Sequence, residues 1–227
     1  MNYVTLDFET YYDRQYSLSK LTTEEYIRSA EFEVIGVAVK VNDGESRWCS
    51  GTYEEIKKFL DSYDMSNALV VAHNTMFDGA ILSWIFDVHP KYLFDTMLMS
   101  RLIRGANARH SLMELAKFTG VGQKGTEVLN ALGKRRNDFS VEELDRYGEY
   151  CRNDVELTKR IFDIFIQKFG GTGFDRKELQ LMDLTLKMFT EPVFEVDIPL
   201  LKTYLKNTIA NKEALLKTSG YTKEYLM

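Results

Sequence analysis

A chain of 227 residues with 44% hydrophobic and 28% charged content has the composition of an ordinary globular protein, long enough for one full α/β core. Three prolines and fourteen glycines exclude a collagen-like or disordered chain, and no apolar run approaches the roughly 20 residues that a bilayer-spanning helix needs. The net charge of −5 excludes a protein that holds nucleic acid by bulk positive charge. The average hides an asymmetry, because Arg101 to Asp138 carries eight Lys/Arg against three acids. Such a segment can track a phosphate backbone, and it can equally be a solvated surface. Cys49 and Cys151 stand far apart in no metal-like spacing, as expected of free thiols in a reducing compartment. The opening MNYVTLDFET has no basic stretch of a secretory signal, so a cytoplasmic location without a membrane partner is expected.

Tyr3 to Phe8 is rich in β-formers and reads as a buried strand, and Phe32 to Val41 is the clearest strand in the sequence. Asn42-Asp43-Gly44 makes a hairpin turn into a third strand near Ser46 to Cys49. Thr52 with Glu55 is a capping box that opens a helix to about Leu60. Ala68 to Ala72 is a short apolar run, followed by helical periodicity from Met76 to Phe86. From about Thr96 the reading is mostly helical. A second capping box, Ser140 with Glu143, starts a long helix from Val141 to about Lys168. Gly170-Gly171-Thr172-Gly173 breaks the chain, after which helices are expected over Asp175 to Thr190 and Leu200 to Lys217. The pattern predicts an α/β fold with a mixed sheet flanked by helices. Residues 1–172 form its domain, and 173–227 a helical C-terminal extension.

Several carboxylates sit where an apolar pattern does not want them. Asp7 and Glu9 end the first strand, and positions i and i+2 of a strand share a face. Two like charges about 5–7 Å apart at the edge of a core are unfavourable unless a cation sits between them. Such a pair is expected about once by chance in a chain of this composition, and Asp43-Gly44-Glu45 is a second, read as solvated. Asp78, in HNTMFDGAIL, falls in the first helical turn after the Ala68–Ala72 strand, at the end of the sheet where α/β folds place their sites. It can also be read as a helix-dipole partner. Tyr150 and Asp154 are spaced i, i+4 on one face of the long helix, bordering its apolar stripe. Asp7, Glu9, Asp78 and Asp154 make an oxygen-only set suited to Mg²⁺ or Mn²⁺, and no His-rich or Cys-rich set competes for zinc. Two such ions about 3.5–4 Å apart suit phosphoryl transfer, and a tyrosine one turn from a ligand can orient the attacking water.

Together these stretches resemble the tyrosine subclass of the DEDD 3′→5′ exonucleases, and most closely the proofreading domain of family A DNA polymerases, in a phage version. Asp7-Phe8-Glu9-Thr10 matches the first motif, His73-Asn74 through Phe77-Asp78 the second, and Tyr150-Cys151-Arg152-Asn153-Asp154 the third. Phe94 to Leu98 and Arg109 to Leu112, with Leu115-Ala116, resemble two further stretches, so the likeness covers residues 1 to about 170. It implies a ribonuclease-H-like sheet, two Mg²⁺ or Mn²⁺ ions, and single-stranded or frayed DNA 3′ ends as substrate, in the host cytoplasm if the chain is phage-encoded. Carried over by position, Asp7 bridges both ions, Glu9 and Asp154 complete one site, and Asp78 holds the second ion through water. Tyr150 orients the water, while Thr10, Asn74, Phe77 and Arg109 are the candidates for the terminal nucleotide. Phe77 is also read as core, and Tyr11-Tyr12-Asp13 stands where the family often has an apolar wedge.

His73, His89, His110 and Cys151 are read as structural, and Trp48 and Trp84 as packing. Lys134-Arg135-Arg136 can grip a strand or merely solvate a loop. Pro192 to Asp197 resembles the family's lead into a polymerase region, but no polymerase motifs follow: either the sequence is a truncated polymerase, or the polymerase is a separate chain, on which the apolar tail from Asp175 is expected to dock. An RNase-D-like exoribonuclease and an inert nuclease-fold scaffold are the alternatives.

Overall fold

The structure is a computed structural model that describes residues 1–122, 131–169 and 176–220. The chain divides into two units, Met1–Pro192 and Val193–Met227.

The first unit is organised around β1 (Asn2–Thr10). Its even positions Val4, Leu6 and Phe8 are buried, and the Phe8 ring stacks on Phe86 at 5.9 Å. Its odd face carries buried Thr5 and the partly exposed Asp7 and Glu9. β2 (Val34–Val41) pairs antiparallel with β1, and a turn through Asn42, at φ +50°, leads to β3 (Arg47–Cys49). β4 (Ala68–Ala72) lies parallel to β1, and β5 (Tyr92–Asp95) parallel to β4, giving the order β3-β2-β1-β4-β5. This is the expected mixed sheet with one strand more. Four residues are too short to display alternation, so only pairing with β4 makes β5 visible.

Local capping chemistry sets the helices before the sheet's second half. α1 (Thr23–Ile27) opens on a Thr22–Glu25 capping box that the sequence reading passed over. α2 (Tyr53–Asp61) opens on the expected box, with the Thr52 N–H donating to Glu55 Oε2 at 2.7 Å. α3 (Thr75–Ala80) passes into a π-helical turn over Ile81–Ile85, where an unbroken helix was expected. α4 (Thr96–Arg104) and α5 (Leu112–Thr119) follow. α6 (Val141–Phe169) lays Cys151, Val155, Leu157, Ile161, Phe162 and Phe165 into the core and packs on β1 and β2.

α7 (Arg176–Thr190) opens the segment expected to dock on a polymerase subunit. It packs on α3 and β5, burying Met182 and Leu186, and Asp183 accepts from the Leu93 N–H at 2.8 Å. Trp84 Nε1 donates to the Thr190 carbonyl at 2.8 Å. Met182 and Leu186 of that apolar sequence therefore cover this chain's own sheet edge, while Leu181, Leu184 and Met188 stay exposed. The boundary expected at residue 172 lies outside the described residues. The second unit holds α8 (Ile198–Ser219), capped by Asp197, whose Oδ1 accepts from the Leu200 N–H at 2.9 Å.

Trp48 fixes how closely α6 approaches the sheet. A Cβ added at Gly36 on β2 would lie 2.3 Å from its ring, and one at Gly148 on α6 2.4 Å from it. The indole thus occupies space that only two glycines leave open. Gly148→Ala should cost about 1–3 kcal/mol by overpacking, against a helix-propensity gain of up to about 1 kcal/mol. The net outcome expected in a circular-dichroism melt is a Tm lower by roughly 2–8 °C.

Candidate active site

The site begins at the carboxyl end of β1. Pairing with β2 shifts register between Glu9 and Thr10, a bulge that bends the strand and re-aims the side chains beside it. Asp7 and Glu9 share the face turned to α6, and their carboxylate oxygens and the Cys151 sulfur all lie within 4.8 Å of one another. Asp78 arrives from the adjacent parallel strand. β4 ends at Ala72, Asn74 takes a left-handed φ of +75° as the N-cap of α3, and the first turn then carries Asp78 inward. Asparagine tolerates that conformation better than most residues. Asp78 is 2% exposed, and its Oδ1 accepts from the Phe8 N–H at 3.0 Å, between the two β1 acids in sequence. Burial first, and then the negative charge of Asp7, push the Asp78 carboxyl well above the usual carboxylate range.

Asp154 comes from α6, buried at 5% exposure, three residues beyond Cys151. The Cys151 thiol approaches the Asp7 carbonyl at 3.2 Å and its Oδ2 at 3.5 Å, so this turn of α6 lies against Asp7. Burial, reinforced by the charges of Asp7 and Glu9, pushes the thiol's pKa up, which keeps it protonated and leaves the oxygens as the ionic donors. Tyr150, one turn before Asp154, is half-buried beside the small cluster of Ile35, Ala131 and Tyr147 that Tyr12 also joins.

Residues expected to touch substrate are placed less uniformly. Thr10 is buried, its hydroxyl sharing a hydrogen bond with Tyr26 at 2.9 Å. Asn74 is partly exposed, and its N–H donates to Asp95 Oδ1 at 3.1 Å. Phe77, expected to be core more than base contact, is nine-tenths buried, its ring 5.9 Å from that of Tyr26. Arg109 is exposed between α4 and α5, where its carbonyl accepts from Arg104. Of the two tyrosines in the wedge position, Tyr11 is buried, bonded to Asp13 at 2.9 Å and covered by the Arg135 guanidinium. Tyr12 is the one beside Glu9, whose charge, after burial, raises its pKa.

The Lys134-Arg135-Arg136 run is spent inside the molecule. Lys134 pairs with Glu143 at 2.7 Å, Arg135 with Glu31 and with Glu33 at 3.0 Å, and Arg136 Nε donates to Ser50 at 3.1 Å. Residues 123–130 of the same basic segment lie outside the described ones. His73 meets Thr96 at 2.9 Å and His110 meets Ser100 at 2.7 Å, which are fold contacts.

Two supporting residues escaped the sequence reading. Asp95 caps α4 and also accepts from the Asn74 and Thr75 N–H groups, tying the second motif's turn to β5. Tyr147 donates its hydroxyl to Glu9 Oε2 at 2.7 Å. The available signal was spacing, because Tyr147 stands i−4 to Cys151 on the buried row of α6.

The carboxylate oxygens of Asp7 and Glu9, with Asp78 close enough to feel the Asp7 charge, are donors of the kind hard divalent cations take. The mixed five-stranded sheet flanked by helices is a ribonuclease-H-like fold. NrnC from Brucella melitensis with bound Mg²⁺ shares this fold at a TM-score of 0.60 and 18% identity, covering 86% of this chain and 89% of that one. The same protein bound to pGG gives 0.57 and 19%, covering 83% and 81%. Trypanosoma brucei RNase D in complex with RNA U12 gives 0.58 and 15%, covering 86% and 66%. The chain matches no curated protein in sequence. The 3′-5′ exonuclease family matches residues 1–169, and the chain belongs to that family, which is of the DEDD type and works with two divalent metal ions.

Proposed function

We propose that this protein hydrolyses phosphodiester bonds at DNA 3′ ends, releasing nucleoside 5′-monophosphates, and that it proofreads for a DNA polymerase. The observation that carries the reading is the cluster of Asp7 and Glu9 at the end of β1, with Asp78 on the Phe8 N–H between them and the Cys151–Asp154 turn of α6 against Asp7. Bound there, two divalent ions supply stabilisation of charge on the attacking and leaving oxygens. Asp7 would serve both ions, Glu9 and Asp154 one of them, and Asp78 the other. Tyr150 orients the water whose oxygen bonds to phosphorus as the P–O3′ bond breaks and the 3′-oxygen is protonated. Asn74, at the left-handed turn, and Tyr12, which feels the charge of Glu9, would meet the terminal nucleotide in this reading.

Tyr150→Phe should lower kcat about a hundredfold by removing water orientation, with Mn²⁺ uptake unchanged in a binding titration. A second reading, exoribonuclease action, is favoured by the RNA in the RNase D complex and by the pGG bound to NrnC. The discriminating experiment presents 5′-labelled DNA and RNA of one sequence, in Mg²⁺ and in EDTA. Stepwise shortening of DNA from its 3′ end in Mg²⁺, faster than of RNA, is the expected result. Faster shortening of RNA would reassign the substrate, and stable binding of both without shortening, in Mg²⁺ and in Mn²⁺, would leave a scaffold.

A further inference from the structure

We infer that Tyr147 is a positioning residue that presets the Glu9 carboxylate for the metal ion, an inference that rests on the nuclease reading above. Tyr147 lies outside the three motifs, one turn before Cys151 on the inner row of α6. Its hydroxyl donates to Glu9 Oε2 at 2.7 Å across 138 residues of sequence. The phenol is 4% exposed and firmly seated: the Phe139 ring stacks on it at 5.5 Å, and the Trp48 ring stands 6.3 Å away. Trp48 is itself wedged between Gly36 and Gly148, so the donor stands on a surface with little freedom to shift.

Glu9 needs such a tether more than Asp7 does. It sits at the bulge, where the β1–β2 ladder loses its regular register, and its side chain has one more rotatable bond than an aspartate. Cys151 supplies the corresponding contact to Asp7 one turn along the helix. The hydrogen bond does not compete with ligation, because a carboxylate offers about four lone-pair sites and the phenol takes one. Outer hydrogen bonds of this kind orient a ligand before the metal arrives, and their loss typically costs about 10–100-fold in metal affinity.

The test compares wild type, Tyr147→Phe, Phe139→Leu and Asp7→Ala by Mn²⁺ titration followed by electron paramagnetic resonance without nucleic acid, and by the Mg²⁺ dependence of oligonucleotide hydrolysis. Tyr147→Phe should need about tenfold more Mn²⁺ and about tenfold more Mg²⁺, with Tm, oligonucleotide KM and kcat at saturating Mg²⁺ close to wild type. Unchanged Mn²⁺ affinity in Tyr147→Phe overturns the inference. So does an equal rise in metal requirement in Phe139→Leu, which loosens the same packing and spares the hydroxyl. A wild type that takes up Mn²⁺ no better than Asp7→Ala would remove the metal site altogether, and this inference with it.

Discussion

Asp7→Ala should leave a folded protein whose hydrolysis of a 3′-ended oligonucleotide is slowed about a thousandfold or more. In the proposed arrangement Asp7 would serve both ions, so its loss would remove several kcal/mol of charge stabilisation at the transition state, and each 1.36 kcal/mol is about tenfold in rate. The fold should tolerate the change, because Asp7 is partly exposed and one fewer carboxylate relieves repulsion with Asp78. Steady-state rates on chelator-washed protein with Mg²⁺ restored provide the measurement, alongside Tm. Rates within tenfold of wild type would remove Asp7 from the chemistry.

Asp78→Asn should divide stability from activity. The asparagine Oδ1 can still accept the Phe8 N–H, so the tie between β1 and α3 survives. What disappears is a titrating group whose folded pKa lies above its unfolded value of about 3.9. Between those two values the folded state binds more protons than the unfolded chain, so this group's contribution to stability falls as pH rises through the interval. In EDTA the variant should therefore gain on wild type from about pH 4 upward, reaching about 0.5–2 kcal/mol of extra stability, the usual size when a strained functional group is relieved. Asp95, also raised chiefly by burial, is present in both proteins and cancels in the comparison. Mg²⁺ should stabilise wild type and narrow the gap, because a cation reverses the repulsion that raised the pKa. Activity should fall on the order of a thousandfold, from loss of the second ion's share of charge stabilisation. Urea titrations at several pH values, with and without Mg²⁺, measure the first effect. A gap that does not widen with pH would contradict the burial argument.

What could be read before folding was whatever local chemistry encodes. The Thr52–Glu55 box gave α2, and the Asn42 turn gave the β2–β3 hairpin, because both signals lie within a few residues. The same box at Thr22 and Glu25 was equally legible, but a five-residue helix has no periodicity to draw attention to it. The odd-face placement of Asp7 and Glu9 followed from the period of a strand alone. Phe77 and the Lys134–Arg136 run were less legible. A phenylalanine near a motif and a basic run near a site look the same whether they face solvent or a partner inside the fold. Only Tyr26 packed beside Phe77, and Glu31, Glu33 and Glu143 facing the basic run, decide between them.

By itself the sequence determined the acids, their order along the chain and the elements that carry them, since strand and helix periods act over neighbouring residues. Tertiary structure alone decided three further things. α7 packs over β5, Trp48 sets the spacing of α6 from the sheet, and Tyr147 reaches Glu9. Each is a contact between residues far apart in the chain, set by the volume and hydrogen-bonding capacity of whatever the fold brings opposite. No pattern within one segment carries that information.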